Sequence, residues 1–206
     1  MRIVLVRHGQ TEWNVLRKTQ GHQNSDLTQK GIAQADLVAR ELSRLSFQHF
    51  VCSDSGRAVQ TAERILAVHP GIAPLKLDRR LRELNYGDWE RLQHDEVVER
   101  YPREYQIYRK EPSSFRAPNG ESFQELEERF VDFLEAIVRT QDGDSLLVTH
   151  SGLIRVALLV FKERPLSDLW GLGTIPEASI TIAEQGNGSS WNLVKSCATD
   201  HLRSLL

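Results

Sequence analysis

Apolar and polar residues recur along the chain with two different periods. Short apolar runs bounded by polar or turn residues are typical of buried strands, whereas apolar positions three or four residues apart are typical of one helix face. Strands are predicted over residues 2–6, 49–52, 75–77 and 145–149, with weaker ones over 179–183 and 191–194. Four helices are predicted. The first runs from an N-cap at Thr28 to about residue 45, the second follows Gly56, the third follows the capping box of Ser122 and Glu125, and the fourth spans residues 153–161. This alternation predicts an α/β fold, a three-layer α/β/α sandwich around a mostly parallel sheet.

The segment over residues 79–118 interrupts the alternation. It is rich in charged and aromatic side chains and contains Pro102, Pro112 and Pro118. Such a composition is typical of short helices and loops rather than of a second hydrophobic core. We therefore expect a single domain over residues 1–206, with residues 79–118 inserted in it as a small helical lid.

The charge balance of the chain narrows the classes of partner. Its 206 residues contain 26 Lys and Arg against 28 Asp and Glu, which gives a formal net charge of −2. Because there is no basic excess, neither nucleic acid nor an anionic membrane is an expected partner, and any anion site must be local. A small-molecule substrate is expected instead.

Cysteine usage and hydropathy predict a cytoplasmic protein. Cys52 and Cys197 lie far apart and lack the spacing of metal ligands, so two reduced thiols are expected. The chain begins almost directly with a strand, without the charged and apolar segment of a secretory signal, and no apolar run approaches the length of a membrane span. A monomer or a homodimer is the expected assembly.

Three predicted strands end in motifs of one type, in which the strand is followed by a turn and a helix. The motifs are Arg7-His8-Gly9, the stretch from Ser53 to Arg57, and Thr149-His150-Ser151-Gly152. The carboxyl ends of parallel strands open on the same edge of a sheet, which is where ligands bind in open α/β folds. Two His and two Arg side chains are therefore expected to converge at that edge.

Those side chains suit a phosphoryl group. Guanidinium groups bind its oxygens in pairs, N–H groups at helix starts favour negative charge, and an imidazole can attack phosphorus. A second imidazole, when protonated, would stabilise the charge of the transition state. A carboxylic acid is still needed to protonate the leaving oxygen; Glu83, Asp88 and Glu90 are candidates, and spacing alone does not choose between them.

Five blocks of sequence carry a resemblance to a known family. They lie over residues 5–14, 26–31, 53–62, 81–90 and 148–152. In this order they resemble the histidine phosphatase superfamily in its phosphoglycerate mutase-like branch, and within it α-ribazole phosphatases, metal-independent phosphoserine phosphatases and broad-specificity phosphatases. The resemblance implies a phosphoglycerate mutase-like fold and chemistry that needs neither a metal nor a cofactor.

The resemblance also implies roles for individual residues. His8 would accept the phosphoryl group as a phosphohistidine, and Glu83 would act first as general acid and then as the base that activates water. The other members of the catalytic set, which would also hold the phosphoryl group, are Arg7, Arg57 and His150. The remaining expected phosphate-binding positions are Gly9, Asn14, Gln20 and Ser151. Arg91 departs from the family pattern, in which Gly is common at that position.

These observations lead to three hypotheses about function. The first is a phosphatase that hydrolyses the phosphomonoester of a small metabolite. The second is a cofactor-dependent phosphoglycerate mutase, although such mutases usually have a longer insertion than residues 91–118 and a different last block than His150-Ser151-Gly152. The third is a phosphate-binding module without catalysis, which the complete set of catalytic positions disfavours.

Overall fold

A mostly parallel sheet forms the centre of the molecule, in a computed structural model that describes residues 1–69, 71–140, 143–186 and 190–205. Its strands are Arg2–Arg7 (β1), His49–Cys52 (β2), Leu75–Leu77 (β3), Ser145–Thr149 (β4), Ile180–Gln185 (β5) and Trp191–Ala198 (β6). They lie in the order β3-β2-β4-β1-β5-β6. The pairs β2–β3, β2–β4 and β1–β4 are parallel, whereas β5 runs antiparallel to both β1 and β6. The predicted α/β fold is thus confirmed.

Helices cover both faces of this sheet. They are Glu12–Val15 (α1), Gln29–Leu42 (α2), Gly56–Val68 (α3), His94–Arg100 (α4), Pro102–Lys110 (α5), Phe123–Thr140 (α6) and Ser151–Phe161 (α7). In β1, Val4 and Val6 belong to the core that includes α2 and α3, whereas Ile3 and Leu5 belong to the core that includes α6 and α7. Successive side chains of a strand point to opposite faces, so an unbroken apolar run is buried on both sides.

The two helix starts predicted from capping residues agree with the structure, whereas α7 begins at Ser151 rather than at residue 153. Thr28 caps α2 as expected, although the helix ends at Leu42 rather than near residue 45. Ser122 and Glu125 form the predicted capping box, in which the Glu125 N–H donates to Ser122 Oγ at 3.2 Å and the Ser122 N–H donates to Glu125 Oε2 at 2.9 Å. Side chains that accept the first N–H groups of a helix therefore set where both helices begin.

The short helix α1 is missing from the sequence prediction, which has a loop there. Thr11 Oγ1 accepts from the Asn14 N–H at 3.2 Å, and Asn14 Oδ1 accepts from the Thr11 N–H at 3.0 Å. These reciprocal bonds form a capping box of their own. A helix of only four residues has no apolar periodicity, so the hydrophobic pattern carries no signal for it.

The segment over residues 79–118 contains α4, α5 and three 3₁₀ turns. Its aromatic side chains pack together and onto α6, with ring centroids 5.1 Å apart for Trp89 and Phe115 and 5.7 Å apart for Phe115 and Phe123. The segment therefore extends the hydrophobic core on the α6 and α7 side of the sheet. Its role as a lid and the single domain over residues 1–206 stay predictions.

Candidate active site

The strand ends bring the predicted groups to one edge of the sheet. In the pairing of β1 with β4, Arg7 lies opposite Thr149. The residues that follow, His8 and His150, therefore leave the sheet together, and their ring centroids lie 5.2 Å apart at an interplanar angle of 60°. Parallel register, rather than closeness in sequence, creates this pair of imidazoles.

A cavity of about 220 Å³ lies at this edge. Seven of the predicted site residues line it: Arg7, His8, Asn14, Gln20, Arg57, Glu83 and Ser151. The other two, Gly9 and His150, are buried next to lining residues, and the Gly9 N–H donates to Thr61 Oγ1 at 3.1 Å. The structure thus brings the whole predicted set together, with Gly9 already engaged by a neighbouring helix.

His8 is held in one tautomer. It is 3% exposed, and its Nδ1 lies 2.8 Å from the carbonyl oxygen of Gly9. Because a carbonyl oxygen only accepts, Nδ1 carries the hydrogen and Nε2 carries the lone pair. Arg57 Nε donates to that Nε2 at 3.3 Å. His8 therefore has a lone pair on Nε2 whose direction is set by the contacts of the ring.

Burial and neighbouring charge keep both imidazoles neutral. Burial lowers the pKa of His8 well below its ordinary value, and the charges of Arg57 and Arg7 lower it further. The pKa of His150 is also lowered well below its ordinary value, first by burial and then by Arg57 and His8. The sequence analysis gives the second imidazole a stabilising role when it is protonated; in the free protein, burial beside a guanidinium disfavours that imidazolium.

Backbone carbonyl groups hold Arg57 in place. The residue is 1% exposed, and its Nη1 and Nη2 donate to the carbonyl oxygens of Gln23 and Gly21 at 2.7 and 2.9 Å. Burial lowers the pKa of Arg57 to about 10, so the guanidinium stays charged at neutral pH. Asn24 Oδ1 accepts from the Arg57 N–H at 2.9 Å, and a Cβ at Gly56 would lie 2.6 Å from the Asn24 amide nitrogen. Glycine at position 56 leaves room for the side chain that positions Arg57.

Arg7 retains an unused donor beside the cavity. Its Nη1 donates to the carbonyl oxygen of Ile175 at 2.5 Å, and its Nη2 lies 3.5 Å from Glu177 Oε1. The Arg7 Nε is buried and has no partner among the described residues. Sequence reasoning missed Glu177, because a lone carboxylate in a loop before β5 carries no motif.

His150 has a second unused ring nitrogen. Its Nε2 lies 2.8 Å from Ser53 Oγ, whereas its Nδ1 is buried without a partner in the part of the chain that the structure describes. The Ser53 hydroxyl has a single hydrogen, and Ser55 Oγ lies 3.3 Å from its oxygen as a second acceptor. When that hydrogen goes to His150 Nε2, the hydrogen of the neutral ring resides on Nδ1. His150 then offers an N–H donor without carrying a charge.

The geometry distinguishes Glu83 from the other candidate acids. Glu83 is 7% exposed and lines the cavity, and its Oε2 accepts from the Gly152 N–H at 3.1 Å. Asp88 is exposed, and Glu90 accepts from the His22 N–H at 2.8 Å. Neither Asp88 nor Glu90 is among the residues that line the cavity. Position therefore favours Glu83 as the proton donor.

Asn14 and Gln20 are both positioned through Thr11. The Thr11 hydroxyl donates to Asn14 Oδ1 at 3.0 Å, and Gln20 Nε2 donates to Thr11 Oγ1 at 2.9 Å. Gln20 Oε1 accepts from the Ser25 hydroxyl at 3.2 Å. Because its oxygen is engaged with Thr11, the Asn14 side chain keeps its amide N–H groups for a ligand on the cavity side.

Several further residues line the same cavity without having been predicted for it. The aromatic ones are Tyr86, Trp89, His94, Tyr105 and Tyr108, and the cationic ones are Arg17 and Lys18. The hydroxyl oxygens of Tyr86 and Tyr108 lie 3.4 Å apart, and burial raises the pKa of Tyr108 to about 12. Both hydroxyls are therefore neutral at physiological pH. Aromatic spacing in the sequence fits a packed core equally well, so it gave no signal for this role.

No metal cluster is found among the described residues: they contain no group of three or more His, Cys, Asp or Glu side chains close enough to hold a metal ion. The same residues include no helix that is both long and apolar enough to cross a membrane. The cytoplasmic location and the monomeric or homodimeric assembly stay predictions.

The two buried imidazoles predict how stability depends on pH. In the unfolded chain a His titrates near ~6.5, whereas both folded-state pKa values lie well below it. Below that pH the unfolded chain binds protons that the folded chain does not, so the free energy of unfolding falls as the pH is lowered from about 7 to about 5. The expected slope is about 1.4 kcal/mol per pH unit for each such His, measured by urea unfolding at a series of pH values.

The variant His150→Gln tests the contribution of one ring. It removes a titrating group while keeping a side chain that can bond to Ser53. A shallower slope of unfolding free energy against pH is expected than in the unmodified protein. An unchanged slope would contradict the assignment of a neutral, buried His150.

Comparison with known proteins agrees with this geometry. The model of the histidine phosphatase superfamily (branch 1) matches residues 3–199. Phosphoglycerate mutase-like protein 4 of Arabidopsis thaliana is 33% identical over 194 residues, which cover 93% of this chain and 82% of that protein. The adenosylcobalamin/alpha-ribazole phosphatase of Salmonella typhimurium is 32% identical over 171 residues, which cover 82% of this chain and 84% of that protein.

A solved structure extends the similarity to the whole fold. Bacillus stearothermophilus YhfR superposes with a TM-score of 0.91 at 32% identity, over 98% of this chain and 99% of that chain. These findings confirm the predicted phosphoglycerate mutase-like fold and the predicted enzyme class, a phosphoric monoester hydrolase. The chain belongs to branch 1 of the histidine phosphatase superfamily.

Proposed function

We propose that the protein is a metal-independent phosphatase that hydrolyses a small phosphomonoester through a phosphohistidine at His8. The observation that carries the proposal is the state of His8: a buried, neutral imidazole whose Nε2 lone pair is fixed beside Arg57. A non-catalytic phosphate site has no need of an oriented lone pair, whereas nucleophilic catalysis requires one.

Binding uses the donors that the protein leaves unpaired. The phosphoryl oxygens take hydrogen bonds from the buried Nε–H of Arg7 and, in the tautomer with a hydrogen on Nδ1, from His150. The Arg57 guanidinium, whose Nε, Nη1 and Nη2 already donate within the protein, supplies positive charge beside them. Asn14 adds its side-chain amide, and Ser151 lies at the start of α7, where the helix dipole favours negative charge. Arg57 and His150 are buried, and an interaction made by a buried donor is stronger than the same interaction in water.

The first chemical step transfers the phosphoryl group to the enzyme. His8 Nε2 donates its lone pair to phosphorus, the bond from phosphorus to the ester oxygen breaks, and Glu83 in its acid form gives a proton to the leaving oxygen. The products are an alcohol, a Glu83 carboxylate and phosphohistidine at His8. The arginines and His150 stabilise the charge that spreads over the phosphoryl oxygens.

The second step returns His8 to its starting state. A water molecule attacks phosphorus while the Glu83 carboxylate takes its proton, and the bond between phosphorus and Nε2 breaks with its electron pair returning to the imidazole. Inorganic phosphate leaves, and Glu83 is again an acid. The same carboxyl group thus serves both steps in opposite directions.

Trapping of the intermediate tests the nucleophile. With a ³²P-labelled phosphomonoester in excess chelator, quenched turnover is expected to leave an acid-labile, base-stable label on His8. The variant His8→Asn is expected to lose the label and to lower kcat by about 10³-fold or more, with its fold checked by circular dichroism. Label on Ser53 or on a carboxylate instead would overturn the proposal.

The variant Glu83→Gln tests the acid and base roles separately. Alkyl phosphates need a proton donor, so their rate of transfer to His8 is expected to fall by roughly 10²- to 10⁴-fold. With 4-nitrophenyl phosphate, whose leaving group needs little help, a burst of one equivalent of nitrophenolate is expected before slow turnover. Asp88→Asn, at an exposed acid of the same segment, is the matched control and is expected to behave like the unmodified enzyme. Equal losses for alkyl and aryl substrates without a burst would contradict the assignment.

A mutase remains the second candidate, because a relative with 33% identity bears the name phosphoglycerate mutase-like protein. Both activities pass through a phosphohistidine, and they differ in whether water reaches it. With 3-phosphoglycerate we expect inorganic phosphate and glycerate, measured by phosphate release and by NMR. Accumulation of 2-phosphoglycerate without free phosphate would assign the mutase instead.

A further inference from the structure

Two of the cationic side chains that line the cavity have no role in the proposed mechanism. The charged lining consists of Arg7, Arg17, Lys18 and Arg57 together with one carboxylate, that of Glu83. Arg7 and Arg57 hold the phosphoryl group at His8, which leaves Arg17 and Lys18. The whole chain has a net charge of −2, so this excess of positive charge is local to the cavity.

Backbone hydrogen bonds hold the main chain in place at Arg17 and Lys18. The Arg17 N–H donates to the Asn14 carbonyl at 3.2 Å, and the Lys18 N–H donates to the Trp13 carbonyl at 2.9 Å. Lys18 also pairs with Gln93 in an isolated antiparallel bridge. Arg17 has a φ of 52°, a left-handed conformation that side chains other than Gly rarely adopt. The chain therefore keeps an uncommon backbone conformation where it places a cation at the cavity.

Among the described residues, no acidic side chain forms an ion pair with Arg17 or Lys18. The recorded contact of the Lys18 ammonium is with the Trp13 ring at 5.9 Å. By contrast, Arg82, the neighbour of Glu83 in the sequence, is paired with Asp54 at 2.6 Å. A ligand with an anionic group therefore meets two cations that no side chain has neutralised.

Most of the other side chains that line the cavity are neutral and do not repel an anionic group. Tyr86 and Tyr108 line it with neutral hydroxyls, and Tyr105 OH lies 3.3 Å from His94 Nε2. Glu83 is the carboxylate of the lining, and its place beside Gly152 is at the catalytic edge of the sheet. Among the described residues that line the cavity, Glu83 is thus the one acidic side chain that a second negative charge at Arg17 and Lys18 would meet.

We propose that Arg17 and Lys18 form a subsite for a second anionic group, a carboxylate or a phosphate, on the end of the substrate remote from the scissile phosphoryl group. The inference rests on the proposed phosphatase function and names the class of its substrate: a phosphomonoester with an anionic tail. The phosphoryl end binds at His8, and the tail extends past the tyrosines to the two cations.

A matched series of substrates tests this subsite. The ω-carboxyalkyl phosphates of increasing chain length are compared with ω-hydroxyalkyl phosphates of the same length, and α,ω-bisphosphates form the third arm. At the best chain length, kcat/KM is expected to be about fivefold or more higher for substrates with an anionic tail than for the hydroxyalkyl phosphates, and the difference is expected in KM rather than in kcat. The series with the larger preference shows whether the subsite binds a carboxylate or a phosphate. The preference is expected to shrink as the salt concentration rises from about 0.05 M to about 0.5 M, because salt screens exposed charges.

Variants assign the preference to the two residues. In Arg17→Gln and Lys18→Gln the ratio of anionic to neutral substrates is expected to fall toward one, while turnover of 4-nitrophenyl phosphate is unchanged. Arg44→Gln and Lys76→Gln replace exposed cations that do not line this cavity, and they are expected to keep the full ratio.

The possible failures are distinguishable. If the unmodified enzyme hydrolyses neither the carboxyalkyl phosphates nor the α,ω-bisphosphates faster than the hydroxyalkyl phosphates at any length, the subsite is wrong and the phosphatase function stands. The same holds if the ratio persists when Arg17 and Lys18 are both replaced by Gln. If no phosphate is released from any substrate, including 4-nitrophenyl phosphate, the proposed function itself fails.

Discussion

The site depends on a buried guanidinium that donates to a buried, neutral imidazole. Arg57 Nε donates to His8 Nε2 only while that nitrogen is unprotonated, and burial together with two neighbouring positive charges keeps it unprotonated. The Gly9 carbonyl accepts from the other ring nitrogen, so the same contacts set both tautomer and charge. The buried environment that lowers the pKa of His8 is therefore also what keeps a lone pair on Nε2, where it accepts from Arg57.

The edge of the sheet that bears His8 has more positive than negative charge. Taking a charged group out of water costs several kcal/mol, and neutral carbonyl groups offset only part of that cost. Arg57 has the carbonyls of Gly21 and Gln23, and Arg7 has a carboxylate, that of Glu177, only at 3.5 Å. In the proposed mechanism a phosphoryl dianion supplies the missing countercharge and also gives a partner to the unpaired Nε–H of Arg7. Unpaired donors and uncompensated positive charge in the free protein thus favour the binding of an anionic group at this edge.

The sequence predicts what local pattern and topology determine. Apolar runs mark the strands, capping residues such as Thr28 mark helix starts, and parallel topology places His8 beside His150. Local pattern does not choose Glu83 over its acidic neighbours, because burial and the bond from Gly152 arise from tertiary packing. It also gives no sign of Arg17, whose role at the cavity depends on an unpredicted turn of helix. Arg91 occupies a position with a φ of 74°, which accounts physically for the glycine common there in the family.

One carboxylate connects the chemistry of the site to the segment that borders it. Glu90 Oε1 accepts from the backbone N–H groups of His22 and Tyr86 at 2.8 and 3.2 Å, so it ties the loop after α1 to residues 79–118. A Cβ at Gly21 would collide with this carboxylate, and the Gly21 carbonyl accepts from Arg57 at 2.9 Å. A shift of the segment would therefore move the carbonyl that orients Arg57, and with it the donor on His8. Residues that border the cavity and residues that hold Arg57 against His8 are thus joined through one loop. If His8 is the nucleophile that we propose, a substitution here that changes substrate preference also acts on that imidazole.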